Sequence, residues 1–337
     1  MGRKWPLIER DETTRRKFLT ILKYFFPISH SVDVIEVENL AKYYGEFLAV
    51  DHISFRVKKD EIFGFLGPNG AGKTTTIRML TGILEPSEGR IRIFGLDARK
   101  DILRIKENIG VVPEMANPYI DLTAMQNLSL VGRLYGMRKG EIKERSEELL
   151  HLFGIYERRD KKVRSFSKGL RQRLSLAMTL LPDPELLFLD ELTSGLDVMS
   201  ARLIKKIIRE ENRRGKTIFM STHNMNDANE LCNRIAIINH GKIVAIDTPE
   251  RIKSMGKKQI IVEVSLEPLE PELLKKYMGD EKIEVSGDKI IVHTTSPDDT
   301  IKKIVHQAEQ QNLKIVSLAT RKPTLEDVFC ILSRRWQ

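Results

Sequence analysis

The sequence predicts an α/β fold: a largely parallel sheet with helices on its faces, followed by a small α+β domain. Three observations predict it. Strands alternate with helical segments through residues 34–256, the pattern of a parallel sheet with helical crossovers. One apolar strand runs straight into a glycine-rich loop that opens a helix. From Lys257 the alternation gives way to closely spaced short strands with three helices.

Val34–Leu40 alternates apolar and polar residues and reads as a strand, and Phe47–Val57 follows the loop at Gly45 as a second. Glu61–Leu66 is a short apolar strand leading into Gly67-Pro68-Asn69-Gly70-Ala71-Gly72, and a helix follows from Lys73 to about Leu80, stopped by Gly82. Arg90–Phe94 and Asn108–Val112 are further strands. Between Thr123 and Phe153 the period turns helical, with Thr123 as N-cap and Gly154 as stop. A helix over Leu170–Leu181 ends at Pro182, and the buried strand Leu186–Leu189 ends in Asp190-Glu191. Then come a helix near Val198–Arg214, a strand Thr217–Ser221, a short helix, and a hairpin of Arg234–Ile238 with Lys242–Ile246. Beyond Lys257, strands are expected at Gln259–Leu266, Lys282–Val285, Lys289–His293 and Leu313–Leu318, with helices near Pro271–Tyr277, Pro297–Asn312 and the end of the chain.

The 337 residues suit about two domains. With 41% apolar and 31% charged residues the chain is neither disordered nor collagenous. No apolar run reaches the roughly 18–20 residues of a membrane-spanning helix, and no secretory leader is expected from the charged N-terminus. Cys232 and Cys330 are too few for a disulfide framework and read as reduced thiols. The net charge of +9 is spread over residues 1–256 rather than gathered in one stripe, so no nucleic-acid partner is expected. In residues 1–33, Phe18, Leu19, Leu22, Phe25 and Phe26 fall on one helix face beside Arg15, Arg16, Lys17 and Lys23. That stripe either packs on a protein surface, the first expectation, or lies at a membrane interface.

Gly67 to Thr74 fits G-x-x-x-x-G-K-[ST] in full, with a strand before and a helix after. Glycines let successive backbone N–H groups point at one anion, and the helix N-terminus adds its positive end. Lys73 can then reach the β- and γ-phosphates of a nucleotide and the Thr74 hydroxyl can ligate Mg²⁺, with Thr75 beside it. The carboxylates of Asp190 and Glu191 stand at the carboxyl end of a strand, the sheet edge where the phosphate loop also lies. Asp190 is the candidate Mg²⁺ ligand, and Glu191 the candidate group to polarise the attacking water. His223 ends another strand and is a candidate to reach the γ-phosphate.

Together these residues resemble the nucleotide-binding subunit of ATP-binding-cassette (ABC) transporters over residues 34–256. The ordered series carries the resemblance: the phosphate loop at 67–74, Phe166-Ser167-Lys168-Gly169-Leu170 where the family has its signature, LLFLDE at 186–191, Ser194-Gly195-Leu196-Asp197 at the D-loop, and His223 at the switch histidine. Tyr44 matches the aromatic that stacks on adenine. Pro323-Thr324-Leu325-Glu326-Asp327-Val328-Phe329 is similar to the ending of the drug- and sodium-exporter branch.

The resemblance implies a P-loop ATPase core of the ABC type with a helical subdomain at about 114–181, a C-terminal accessory domain at 257–337, and an N-terminal extension at 1–33. It implies ATP and Mg²⁺ as ligands. ATP would be buried between the phosphate loop of one chain and Ser167, Lys168 and Gly169 of a second copy or a homologous subunit. Export through a separate membrane permease, docked near Glu114–Leu134, follows, with the chain cytoplasmic and peripheral on the membrane. The runner-up is a soluble ATPase of the same type acting on nucleic acid or ribosomes. Three departures stand out. Glu114 replaces the family's glutamine as a candidate metal ligand, Lys168 adds a cation to the signature that can meet a γ-phosphate or point to solvent, and Leu192 replaces a proline.

Overall fold

The computed structural model describes residues 33–115, 118–255, 260–268 and 282–334. The stripe Phe18–Phe26 and the helix expected near Pro271–Tyr277 lie outside them.

In chain order the elements begin Asp33–Tyr44 (β1), Phe47–Lys58 (β2), Ile62–Leu66 (β3), Lys73–Leu80 (α1), Glu88–Ile93 (β4), Leu96–Asp97 (β5), Ile102–Lys106 (α2) and Ile109–Val112 (β6). Next come Ala124–Leu134 (α3), Lys139–Leu152 (α4), Lys168–Leu180 (α5), Leu186–Asp190 (β7), Val198–Arg213 (α6), Thr217–Thr222 (β8), Met225–Leu231 (α7), Arg234–Asn239 (β9), Lys242–Asp247 (β10) and Pro249–Met255 (α8). The last are Ile260–Glu267 (β11), Lys282–Ser286 (β12), Lys289–Thr294 (β13), Pro297–Gln310 (α9), Lys314–Arg321 (β14) and Leu325–Arg334 (α10).

The central sheet has the order β10-β9-β3-β8-β7-β6. All its pairings are parallel except β9 with β10. The earliest strands are not part of it. They form a separate antiparallel sheet, β2-β1-β4-β5, because only Gly45 and Glu46 separate β1 from β2, and a two-residue connection joins only antiparallel strands.

Strand alternation divides the central sheet between two cores. On β3, Phe63 and Phe65 face one and Ile62 and Leu66 the other; on β7, Phe188 opposes Leu187 and Leu189; on β8, Phe219 opposes Ile218 and Met220. Phe55 from the antiparallel sheet stacks on Phe63 at 5.7 Å between ring centres, fastening the two sheets together. The other face is covered by helices, among them α3, α4 and α5. Thr123 caps α3 in a reciprocal box with Gln126. Helix α5 begins at Lys168, two residues ahead of the apolar pattern, because the Ser167 hydroxyl accepts the Leu170 N–H and turns the chain earlier. Burial in the helix-covered core pushes the Cys232 thiol pKa well up, which makes it inert.

The C-terminal strands form a third sheet, β12-β13-β11-β14, antiparallel throughout, with α9 closing a small core of Val262, Val264, Ile290, Val292 and Ile304. Helix α10 does not belong to that core. Its Leu325 and Val328 are buried with Leu231 and Ile252 in the large one.

Candidate active site

Strand β3 is buried along its whole length and ends at Leu66, where the glycine-rich loop begins. The Gly67 N–H donates to the Thr222 carbonyl at 3.2 Å, holding the loop to the end of β8. A Cβ on Gly67 would lie 2.3 Å from the Ile238 carbonyl oxygen, so only hydrogen fits. Gly72, at φ +102° and with the Ala49 carbonyl 2.7 Å from where a Cβ would stand, turns the chain into α1. Pro68, Asn69 and Gly70 are exposed at the rim and Ala71 is buried beneath them. The loop curls round its own lysine: Lys73, 6% exposed, donates to the carbonyls of Gly67 at 2.8 Å and Pro68 at 3.0 Å. Thr74 and Thr75 are half-buried, and their hydroxyls make no hydrogen bond among the described residues.

The parallel register brings the ends of β7 and β8 alongside. Asp190 pairs with Ser221 in the ladder and accepts a hydrogen bond from the Ser221 hydroxyl. The Glu191 N–H is held by the Ser221 backbone and side-chain oxygens, both at 3.2 Å. Glu191 has left-handed backbone geometry, φ +48°, which costs a non-glycine residue energy and recurs at functional sites. Its carboxylate lies between two cationic or polar partners. Oε1 is 3.1 Å from the Lys73 ammonium, and Oε2 is 2.8 Å from His223 Nδ1 and 3.3 Å from the His223 N–H. The Lys73 contact is an ion pair that is not aligned as a hydrogen bond, so Oε1 keeps an unused acceptor direction inside a site where Glu191 is only 6% exposed. With Glu191 ionised, the 2.8 Å contact puts a proton on His223 Nδ1, which leaves Nε2 of the neutral ring an acceptor.

Lys73, Asp190, Glu191 and His223 thus converge. Ser221 and Thr222 join them, although the sequence reading passed over both. Their signal was a hydroxyl pair at a strand's carboxyl end, directly before His223. Two other candidates form no hydrogen bond or ion pair with this set among the described residues. Tyr44 is 47% exposed with the Lys42 ammonium 5.7 Å above its ring. Glu114 is exposed after β6 and makes no hydrogen bond or ion pair among the described residues.

Ser167, Lys168 and Gly169 lie at the start of α5, packed on the start of α6 instead of on the phosphate loop. A Cβ on Gly169 would lie 2.5 Å from Ser200 Oγ, and one on Gly195 would strike the Lys168 ammonium at 2.5 Å. Arg173 donates to Ser200 at 2.8 Å and Ser200 to Asp197 at 2.6 Å, fastening the two helix starts. Hydrogen bonds from the Ser200 hydroxyl and N–H hold the Asp197 carboxyl below the usual carboxylate range.

A family model described as "ABC transporter" matches residues 50–194, and one described as "ATP-binding protein DrrA1-3-like, C-terminal domain" matches residues 248–331. The chain is 33% identical over 307 residues to the linearmycin resistance ATP-binding protein LnrL of Bacillus subtilis, covering 90% of this chain and 99% of that one. It is 34% identical over 307 residues to the Nod factor export ATP-binding protein I of Ralstonia nicotianae, covering 90% and 95%. Among solved structures, cbiO1 of Clostridium perfringens, described as part of the ABC transporter complex cbiONQ, superposes with a TM-score of 0.60 at 29% identity. The superposition covers 67% of this chain and 94% of that one.

Proposed function

Because the chain belongs to the ABC transporter family, as an ATP-hydrolysing subunit of the exporter type, we propose that two such chains close on ATP. Each would present its phosphate loop to the other's Ser167–Gly169 turn and drive export through a separate membrane permease. The observation that carries this reading is the Lys73–Glu191–His223 chain beneath the loop. It supports a lysine for the β- and γ-phosphates and a carboxylate to polarise water, both buried, with an exposed histidine that orients the carboxylate.

The residues fit Mg²⁺. Thr74, whose hydroxyl makes no hydrogen bond among the described residues, and Asp190, fixed by Ser221, would supply hard oxygen donors, and Glu114 is a further candidate ligand. No cluster of three or more His, Cys, Asp or Glu side chains suited to a metal occurs among the described residues. Mg²⁺ is commonly held by one or two carboxylates together with substrate phosphates. When bound, Mg²⁺ would neutralise charge on the phosphates; Lys73 would hold the same phosphates, and Glu191 would take up the proton of the attacking water through the free direction of Oε1.

Dimerisation is supported by the division of the site: the loop and the Ser167–Gly169 turn occur once each and lie in different parts of the chain. Beside that turn, Val198 and Met199 are 79% and 68% exposed, apolar surface suited to a second chain.

A groove of about 460 Å³, lined by residues including Ile83, Val111, Pro113, Val131, Tyr135 and Met178, is the surface we assign to the permease. Exposed Met115, Tyr119, Ile120 and Leu134 belong to the same stretch of chain. No helix among the described residues is long and apolar enough to cross a membrane, so membrane attachment through the permease is part of the proposal. The relatives named for export leave the reading as a nucleic-acid or ribosomal ATPase without support.

The purified chain is expected to release phosphate from ATP only with Mg²⁺, and its Glu191→Gln variant to run as a dimer in ATP and a monomer in ADP. It should also co-purify from membranes with a multi-span protein. Phosphate release that persists in EDTA, or a monomer at saturating ATP, refutes the mechanism.

A further inference from the structure

We infer that Asp227 is a positioning residue for hydrolysis, which acts by fixing the loop that carries Glu191. The inference rests on the reading of Glu191 and His223 given above and adds a residue that the family series does not contain.

Asp227 lies on α7, four residues after His223, and is 5% exposed. A buried carboxylate survives only with partners that replace water, and Asp227 has two from different elements. The Thr193 hydroxyl donates to its Oδ2 at 2.5 Å, and the Lys205 ammonium lies 3.1 Å from its Oδ1. Thr193 is two residues beyond Glu191. Lys205 is on α6, whose first turn is fastened to the signature helix through Ser200 and Arg173. One carboxylate therefore ties together the loop of the candidate base, the helix that starts beside the switch histidine, and the helix that starts at the D-loop.

The tie is reinforced from outside. Lys205 also pairs with Glu230, and Arg209 reaches Glu230 at 2.6 Å, clamping α6 to α7. Helix α7 also begins firmly, because Asn224 caps it by accepting the N–H groups of Asn226 and Asp227. Glu191, strained at φ +48°, needs such support, since a left-handed glutamate relaxes unless its surroundings hold it. The Thr193–Asp227 bond is the side-chain restraint nearest to it on the downstream side. Losing the bond would let Glu191 drift from its water without disturbing Lys73 or the loop glycines, so the loss should fall on turnover and spare nucleotide binding.

The test measures steady-state phosphate release and equilibrium binding of a fluorescent ATP analogue in the full chain. Asp227→Ala is expected to lower kcat at least tenfold, with KM and the analogue's Kd within twofold of the parent. Asp227→Asn keeps an acceptor for Thr193 and should recover most of that loss. Thr193→Val, which removes the hydroxyl and nearly preserves volume, should reproduce the loss if Asp227→Ala does not fold. In a Glu191→Gln background, Asp227→Ala should have no further effect on residual turnover.

Folded variants within twofold of the parent kcat overturn the inference. So does a loss in which kcat and binding fall together, or one that Asn does not rescue. If Glu191→Gln itself leaves turnover intact, the assignment of the base has failed instead, and the two failures are told apart.

Discussion

Replacing Glu191 by glutamine separates what that carboxylate does for the fold from what it does for the chemistry. Both members of the Lys73–Glu191 pair are 6% exposed, and stripping one member from a buried pair costs about 3–5 kcal/mol when the survivor is left bare. Lys73 is not left bare. It keeps the Gly67 and Pro68 carbonyls at 2.8 and 3.0 Å, and glutamine retains an oxygen that can occupy the place of Oε1. The change therefore trades a charged contact for a neutral one, about 1 kcal/mol. Turnover is different, because an amide cannot accept a proton from water. General-base assistance is worth about 10²–10⁴-fold, or about 3–5 kcal/mol of barrier at 1.36 kcal/mol per tenfold. Phosphate release should fall by at least two orders of magnitude, while ATP affinity holds or tightens and the midpoint of thermal unfolding moves by only a few degrees. The assay is single-turnover phosphate release beside equilibrium binding and a thermal melt. Turnover within threefold of the parent refutes the role of Glu191; a melt lowered by more than ten degrees refutes the view that the loop carbonyls satisfy Lys73.

Gly67→Ala drives a Cβ to 2.3 Å from a backbone oxygen of β9 and should cost about 1–3 kcal/mol in a chemical melt, with ATP affinity at least tenfold weaker by titration. Glu114→Gln should keep or raise ATP turnover, because Glu114 is exposed and free of partners among the described residues and the amide keeps a neutral oxygen ligand; complete loss of activity in a phosphate-release assay would contradict this. His52 is hydrogen-bonded to Asp51 at 2.7 Å and lies 3.3 Å from Glu88, and these carboxylates raise its pKa above the ordinary 6.5. Its share of stability is therefore complete below pH 6.5 and disappears as pH rises through the raised value. The gap in melting temperature between the parent and His52→Gln should be widest in mild acid and close in mild alkali, with an NMR titration midpoint for His52 above 6.5.

What the sequence made legible was local or periodic. The strand–loop–helix at residues 62–80 could be read because its determinants are neighbours: glycines that must curl, then residues that must wind. The unbroken apolar runs of β3 and β7 marked them as buried strands before any partner was known. Longer-range features were hidden. The antiparallel sheet is a matter of which strands find each other, although the two-residue link at Gly45-Glu46 was a usable clue. Ser221 meets Asp190 only because two distant strands share a register. Asp227 and Thr193 are 34 residues apart and carried no motif. The early start of α5 at Lys168 was written in Ser167, a residue read for its chemistry before its capping.

Helix α10 carries a consequence for biogenesis. Leu325 and Val328 complete an interior whose other members were translated up to some 260 residues sooner. Until α10 has been made, Leu231 and Ile252 lack these two apolar neighbours, and the folding body carries an open apolar seam. Sealing of the large core therefore waits on α10, which follows every strand of the third sheet along the chain.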